Sequence, residues 1–161
     1  MSKESRREPL PRLFRSSGQH GYSEHATSHP SRVFARKVER ECQVEFAPVA
    51  CTVQTPEGAV RAAAGDAILT GSSGERWPVA RGGFFSRYRP IPPTTNGEPG
   101  RYVSLPNQVV GIPLWEPFEV LLADGVSRLH GRPGDWLIDY GDGSLGVVSP
   151  AIFAATYKIE A

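Results

Sequence analysis

Two aspartates that each follow a glycine are the residues of this chain best suited to chemistry. Asp66 follows Gly65 and Asp135 follows Gly134. Two carboxylates brought into one site can act as general acid and general base. The same dipeptide also makes a tight turn, in which the carboxylate accepts backbone N–H groups. Because a turn explains why glycine and aspartate occur together, we expect all four residues to be structural.

A second candidate is a basic and aromatic patch for ligand binding. An indole ring can stack on a planar group, and guanidinium groups grip carboxylates and phosphates. Most other aromatic residues lie at apolar positions of the pattern and are expected in the core. The predicted ligand-binding residues are Arg76, Trp77, Arg81 and Arg87.

Metal, cofactor and nucleophilic chemistry have little support in the sequence. Three histidines lie in a stretch without groups to orient them as ligands: His20, His25 and His29. Four other possible ligands lack the spacing of a calcium loop: His130, Asp135, Asp139 and Asp142. We therefore predict no metal, no cofactor and no catalytic residue.

The two Gly-Asp pairs belong to a longer internal similarity with a constant offset of 69 residues, since 134 − 65 = 69. Residue types recur at this offset along both stretches. The matching pairs are Pro48 and Pro117, Gly74 and Gly143, Val79 and Val148, Phe84 and Phe153, and Tyr88 and Tyr157. The repetition predicts two tandem copies of one small module.

Short apolar alternations and turn signals predict a β-rich α+β fold. Each copy is expected to form a small antiparallel sheet plus a short helix, and the copies to pack with pseudo-twofold symmetry. Ser149 and Pro150 mark one helix start, as N-cap and first helical residue. The predicted divisions are a disordered basic tail, a first copy, a Pro-rich linker and a second copy: residues 1–31, 32–89, 90–100 and 101–161.

Charge and hydropathy restrict the possible partners. The 161 residues carry a net charge of +1. Residues 1–41 hold nine Lys/Arg and five Glu, a net of +4, so residues 42–161 carry −3. This balance does not favour nucleic acid. No apolar run approaches the ~20 residues of a membrane span, and the start lacks the apolar core of a signal peptide. We expect a cytoplasmic protein.

Residues 113–158 resemble the PGDYG family, a small module of bacterial and phage proteins. The similarity rests on the run Pro133-Gly134-Asp135-Trp136-Leu137-Ile138, followed by Gly143, Phe153 and Tyr157. In the first copy Ala64 and Ala67 replace the proline and the tryptophan. The resemblance implies a small β-rich fold and a bacterial or phage context. The family has no established activity, so it supplies no catalytic residues.

These observations predict a non-enzymatic binding or interaction module built from a duplicated β-rich unit. Its partner would be an unknown protein or a small anionic ligand. The alternative is an enzyme or a nucleotide-handling protein with a site between the two copies, using Asp66 and Asp135. Titratable groups converging in a cleft would favour the enzyme, whereas an exposed apolar patch would favour the binder.

Overall fold

A computed structural model describes residues 11–160 of the chain. They form fifteen strands: β1 Arg12–Arg15, β2 Val33–Lys37, β3 Glu41–Phe46, β4 Cys51–Thr55, β5 Gly58–Ala62, β6 Ala67–Thr70, β7 Arg76–Val79, β8 Tyr88–Pro90, β9 Gly100–Ser104, β10 Gln108–Pro113, β11 Phe118–Leu121, β12 Arg128–Gly131, β13 Trp136–Asp139, β14 Leu145–Val148 and β15 Tyr157–Ile159. The three helices are α1 Glu24–Ser28, α2 Arg81–Arg87 and α3 Pro150–Thr156. The predicted β-rich fold with short helices is confirmed.

Two five-stranded antiparallel sheets dominate the fold. The first sheet has the strand order β7-β6-β3-β9-β8, and the second sheet has the order β14-β13-β10-β2-β15. Beside them lie the β4–β5 hairpin and a three-stranded sheet in which β1 runs parallel to β11. The helices of the described residues have five or seven residues each. None of them has the length that a membrane-spanning helix needs.

Side-chain alternation explains why the central strands form. In β3, Cys42 and Val44 face the core, while Glu41, Gln43 and Glu45 are exposed. Strand β10 is covered on both faces, because Val110 and Ile112 pack in one core cluster and Val109 packs in another. Such a doubly buried strand is nearly continuously apolar, as this one is.

Strand pairing crosses the predicted division between the two copies. Strand β2, from the predicted first copy, pairs with β10 and β15 in the second sheet. Strand β9, at the start of the predicted second copy, pairs with β3 and β8 in the first sheet. Residues 91–99 join β8 to β9 without a strand. The division into copies and linker thus stays a prediction.

The predicted disordered tail needs a correction. Residues 1–10 lie outside the described residues, but residues 11–31, here called the N-terminal segment, carry β1 and α1. Phe14 and Ala26 are buried in a core cluster of the second sheet. The backbone of Ser23 also donates to the buried carboxylate of Asp139, at 2.8 Å. A few well-placed apolar residues thus order a stretch whose average composition is polar.

Candidate functional site

Both Gly-Asp pairs lie in tight turns. Gly65 and Gly134 have φ angles of +90° and +95°, a region that glycine enters without steric cost. Oδ2 of Asp66 accepts the backbone N–H of Ala63 at 2.8 Å. Oδ2 of Asp135 accepts the N–H of Arg132 in the same way, at 2.9 Å. Each carboxylate therefore closes its own turn.

Asp66 has a second role that Asp135 lacks. Helix α2 begins after Ala80, which has no side-chain oxygen to cap it. Oδ1 of Asp66 accepts the N–H of Arg81 at 3.1 Å and so caps this helix from a distance. Helix α3 is capped locally, as predicted, because Ser149 Oγ accepts the N–H of Ile152 at 3.2 Å.

Three residues of the predicted basic aromatic patch have separate partners in the first sheet and helix α2. Arg76 Nη2 pairs with Oε1 of Glu45 at 2.7 Å. Trp77 packs against the core of the first sheet. The Arg81 guanidinium lies over two aromatic rings, with centroids at 5.4 and 5.5 Å; these rings belong to Phe85 and Phe46. A ligand-binding role for these residues stays a prediction.

Arg87, the fourth predicted residue, connects the end of α2 to the second sheet. Its Nε and Nη2 donate to Oδ2 of Asp142 at 3.0 and 2.6 Å, and Nη2 also donates to Ser144 Oγ. Its guanidinium stacks over the ring of Tyr140, 4.1 Å from the centroid. Asp142, Ser144 and Tyr140 all lie on the β13–β14 hairpin, so one partly buried arginine joins the two parts of the fold.

A cavity of about 180 Å³ lies beside this arginine. We call it the junction cavity, because α2, the β9–β10 connection and the β13–β14 hairpin meet there. Its polar lining residues are His20, Lys37, Ser86, Arg87, Asn107, Tyr140 and Asp142. It is the strongest candidate site among the described residues, since it gathers cationic and hydrogen-bonding groups from distant parts of the chain.

Lys37 is the least compensated charge of the junction cavity. Its Nζ donates to the hydroxyl of Tyr88 at 2.8 Å and lies 4.8 Å from the centroid of that ring. Within residues 11–160 no carboxylate approaches this ammonium to ion-pair distance. A neutral phenol is therefore the partner of a full positive charge.

The charges next to Lys37 are held in their ionised forms. Burial opposes the charge on Asp142, but Arg87 and hydrogen bonds from Ser144 outweigh burial and lower the pKa of Asp142. Burial likewise opposes the charge on Arg87, yet Tyr140 and Asp142 keep the pKa of this guanidinium above its usual value. This ion pair thus stays charged at neutral pH.

A titratable pair that the sequence did not indicate lies at the other end of the fold. Burial, and the negative charge of Asp135, raise the pKa of Glu57 to about 7. Glu57 lies at the turn of the β4–β5 hairpin, and its carbonyl accepts the N–H of His130 at 2.9 Å. The contact arises because this hairpin packs on β12, which no local pattern around Glu57 reveals.

Sequence reasoning also missed most of the junction cavity. Arg87 was selected for its charge, but Lys37, Asn107 and Tyr140 were not singled out. Asp139 and Asp142 were considered only as possible metal ligands. No spacing rule relates Lys37 to Arg87, because a lysine on β2 reaches the end of α2 only through the exchange of strands between the two sheets.

Comparison with known proteins gives one family match. The sequence model of a family described as PGDYG protein matches residues 58–158, which is well over half of the chain. The match extends beyond the resemblance at residues 113–158 and reaches back to strand β5. No curated protein and no solved structure is recognisably similar to the chain.

Proposed function

The chain belongs to the PGDYG family, and we propose that it is a non-enzymatic binding module whose junction cavity takes a small anion. The proposal rests on the environment of the Lys37 ammonium. It borders the cavity, and among residues 11–160 its one hydrogen-bond partner is the hydroxyl of Tyr88. An anion entering the cavity would supply the charge-assisted hydrogen bond that this ammonium lacks.

The net charge of the lining favours an anion. Lys37 and Arg87 contribute two positive charges, and Asp142 contributes one negative charge, so the sum is +1 with His20 neutral. The carboxylate of Asp142 already accepts hydrogen bonds from Arg87 and Ser144. An occupied carboxylate is poorly placed to take a proton from a substrate, which supports binding over acid–base catalysis.

Size and rigidity support a small ligand. A cavity of about 180 Å³ is smaller than the ~300–1,000 Å³ that drug-sized ligands need. Arg87 is fixed by Asp142, Ser144 and the ring of Tyr140, so little side-chain entropy remains to be lost on binding. A phosphate or a short carboxylate matches these limits better than a nucleotide.

Titration of the isotope-labelled protein with inorganic phosphate and with acetate tests this proposal. We expect saturable NMR shifts at the amides of Lys37, Arg87 and Gly141. Lys37→Met should weaken binding about tenfold. The matched control is Lys158→Met, because Lys158 is exposed on β15 and does not line the cavity. The proposal fails if neither anion shifts these amides, or if both lysine variants bind equally.

The binding module is further proposed to be a tandem duplication with pseudo-twofold symmetry. The support is that four elements recur 69 residues later with identical lengths. These pairs are β6 and β13, β7 and β14, α2 and α3, and β8 and β15. The two sheets also have corresponding strand orders, except that β9 and β2 take the same place from opposite sides in the sequence.

The register of the strand pairs β3–β6 and β10–β13 shows where the two halves of the proposed duplication differ in length. Phe46 lies opposite Ala67 in the first sheet, and Pro113 lies opposite Trp136 in the second. The offset between β3 and β10 is therefore 113 − 46 = 67, and the second half has two extra residues before β11. An experimental structure tests the duplication. It would be contradicted if the turns at Gly65 and Gly134 did not superpose together with α2 and α3.

The alternative remains an enzyme that uses Asp66 and Asp135. The observation that favours it is the raised pKa of Glu57. A glutamate with a pKa of about 7 beside Asp135 has the protonation behaviour of a general acid. Both aspartates, however, accept hydrogen bonds from their own turns. If Glu57→Gln and Asp135→Asn both abolish any activity found for the protein and leave its melting temperature unchanged, the enzyme replaces the binding module.

A further inference from the structure

A second cavity lies under the N-terminal segment, separate from the junction cavity. It has a volume of about 300 Å³ and opens between β1, α1 and the second sheet. We call it the N-terminal cavity. Its floor consists of apolar side chains from three neighbouring strands of the second sheet: Ile112, Leu137 and Leu145. This volume reaches the lower end of the range for small-molecule sites.

One buried polar atom in this region has no partner. Nε2 of His25 is shielded from solvent and makes no hydrogen bond with any of residues 11–160. The His25 ring packs on Phe14, with centroids 4.9 Å apart, and lines the cavity. A buried nitrogen without a hydrogen bond is destabilising, and a ligand group that accepts or donates a hydrogen bond there would satisfy it.

Cationic groups stand at the opening of the same cavity. Arg12 and Arg15 line it and are exposed, so they form its rim. The Arg12 guanidinium lies 5.0 Å from the centroid of the Phe14 ring, the same ring on which His25 packs. Arg12 and His25 thus both contact the ring of Phe14, and N–H groups of such side chains bind anionic groups well.

The buried carboxylate of Asp139 does not provide that anion. Its Oδ2 accepts the backbone N–H of Ser23 at 2.8 Å, and its Oδ1 accepts that of Gly141 at 2.9 Å. With Arg12 and Arg15 positive, Asp139 negative and His25 neutral, the lining has a net charge of +1. The positive charge stands at the rim, and the apolar surface lies beneath it.

We propose that the N-terminal cavity binds a small amphipathic monocarboxylate. The apolar tail would cover Ile112, Leu137 and Leu145, and the carboxylate would accept N–H bonds from His25 Nε2 and the Arg12 guanidinium. This ligand differs from the small anion of the junction cavity because it requires an apolar body. The two sites share no lining residue, so either can exist without the other.

Titration of the full-length labelled protein with octanoate tests this inference by NMR. We expect saturable shifts at the amides of Phe14, His25, Ala26 and Leu145. Octanol, which has the same tail but no charge, and acetate, which has the charge but no tail, should both bind at least about fivefold more weakly. Equal binding of octanol and octanoate would overturn the carboxylate contact, and the absence of shifts would overturn the site.

Paired variants locate the contacts. Arg12→Gln and His25→Phe should each weaken octanoate binding about fivefold, while their controls Arg32→Gln and His130→Phe should not. Arg12 is exposed, so its variant keeps the test valid even if His25→Phe fails to fold. Lys158→Met should leave octanoate binding unchanged, because Lys158 is exposed on β15 and lines neither cavity. Unchanged affinity in Arg12→Gln, or loss of affinity in Lys158→Met, would contradict the proposal.

Discussion

The two Gly-Asp turns contain the same dipeptide but hold different numbers of partners. Asp66 accepts N–H groups from its own turn and from the start of α2, whereas Asp135 accepts one N–H from its own turn. The difference follows from the helix that comes next. Ala80 cannot cap α2, so Asp66 does so, while Ser149 caps α3 itself. A repeated motif therefore takes its energetic role from its neighbours.

The hairpin loops of the two sheets differ in the same way. In the β6–β7 loop the N–H of Ser73 donates to Glu75 at 3.1 Å, and the contact from a distant residue is a hydrogen bond from Arg40 Nη2 to Ser72 Oγ at 3.4 Å. The β13–β14 loop binds Arg87 through Asp142 and also receives the N-terminal segment, since Gly21 N–H donates to Gly141 O at 2.7 Å. The second sheet thus depends on distant parts of the chain more than the first.

Phe14→Ala should give the largest effect, because it removes the aromatic anchor of the N-terminal segment from the core of the second sheet. We expect a loss of about 3–5 kcal/mol in the free energy of unfolding, measured with urea. Phe34→Ala is the control, since Phe34 is 38% exposed and should cost about 1 kcal/mol. Equal losses would mean that the segment does not stabilise the second sheet.

Asp142→Ala should give the next largest loss in the free energy of unfolding, about 3 kcal/mol. Arg87 would then keep a largely buried charge without its partner carboxylate. Ser73, 69 residues earlier, occupies the equivalent place in the proposed duplication, and Ser73→Ala should cost less than about 0.5 kcal/mol. Urea unfolding at neutral pH measures both. Similar costs for the two variants would remove the difference between the hairpin loops.

Asp66→Ala should destabilise the protein by about 2 kcal/mol, and Asp135→Ala by about 0.5–1 kcal/mol, because the former removes a turn bond and a helix cap together. Adding Ala80→Ser to the Asp66→Ala protein should restore about 0.5–1 kcal/mol, since the new hydroxyl can cap α2. Thermal and urea unfolding supply these values. No rescue by Ala80→Ser would show that Asp66 does not act as the cap.

Glu57→Gln should have the smallest effect on the free energy of unfolding, and it should stabilise the protein where the preceding variants destabilise it. The folded pKa of Glu57, about 7, lies above its ordinary value of 4.5. Between these values the folded protein binds more protons, so the free energy of unfolding falls as pH rises through this range. The variant should remove this decline and be more stable by about 0.5–1 kcal/mol at about pH 8, given solvent screening of the partly buried carboxyl.

The outcome for Glu57 also bears on the comparison of the two turns. In the Asp135→Ala background Glu57→Gln should change stability less, because part of the pKa shift comes from the charge of Asp135. In the Asp66→Ala background its effect should be unchanged. If the effect of Glu57→Gln changed in the Asp66→Ala background and not in the Asp135→Ala background, the electrostatic coupling of Glu57 to Asp135 would be contradicted.

Local signals in the sequence predicted local structure well. The start of α3 lies where Ser149 and Pro150 indicated, and the strands are short and separated by turns, as the apolar alternations and turn signals indicated. These features depend on backbone preferences over a few residues, which the residue types carry by themselves. The disorder predicted for residues 11–31 was wrong because average composition does not register two well-placed core residues, Phe14 and Ala26.

The sequence by itself determined the β-rich class, the turns and the family. Only the tertiary structure decided which strands pair and which charges meet. The exchange of β2 and β9 between the sheets brings Lys37 to the end of α2, and the packing of β4–β5 on β12 brings Glu57 to Asp135. Such contacts join residues many positions apart, and their free energy depends on burial and charge in the folded chain, which no local pattern encodes.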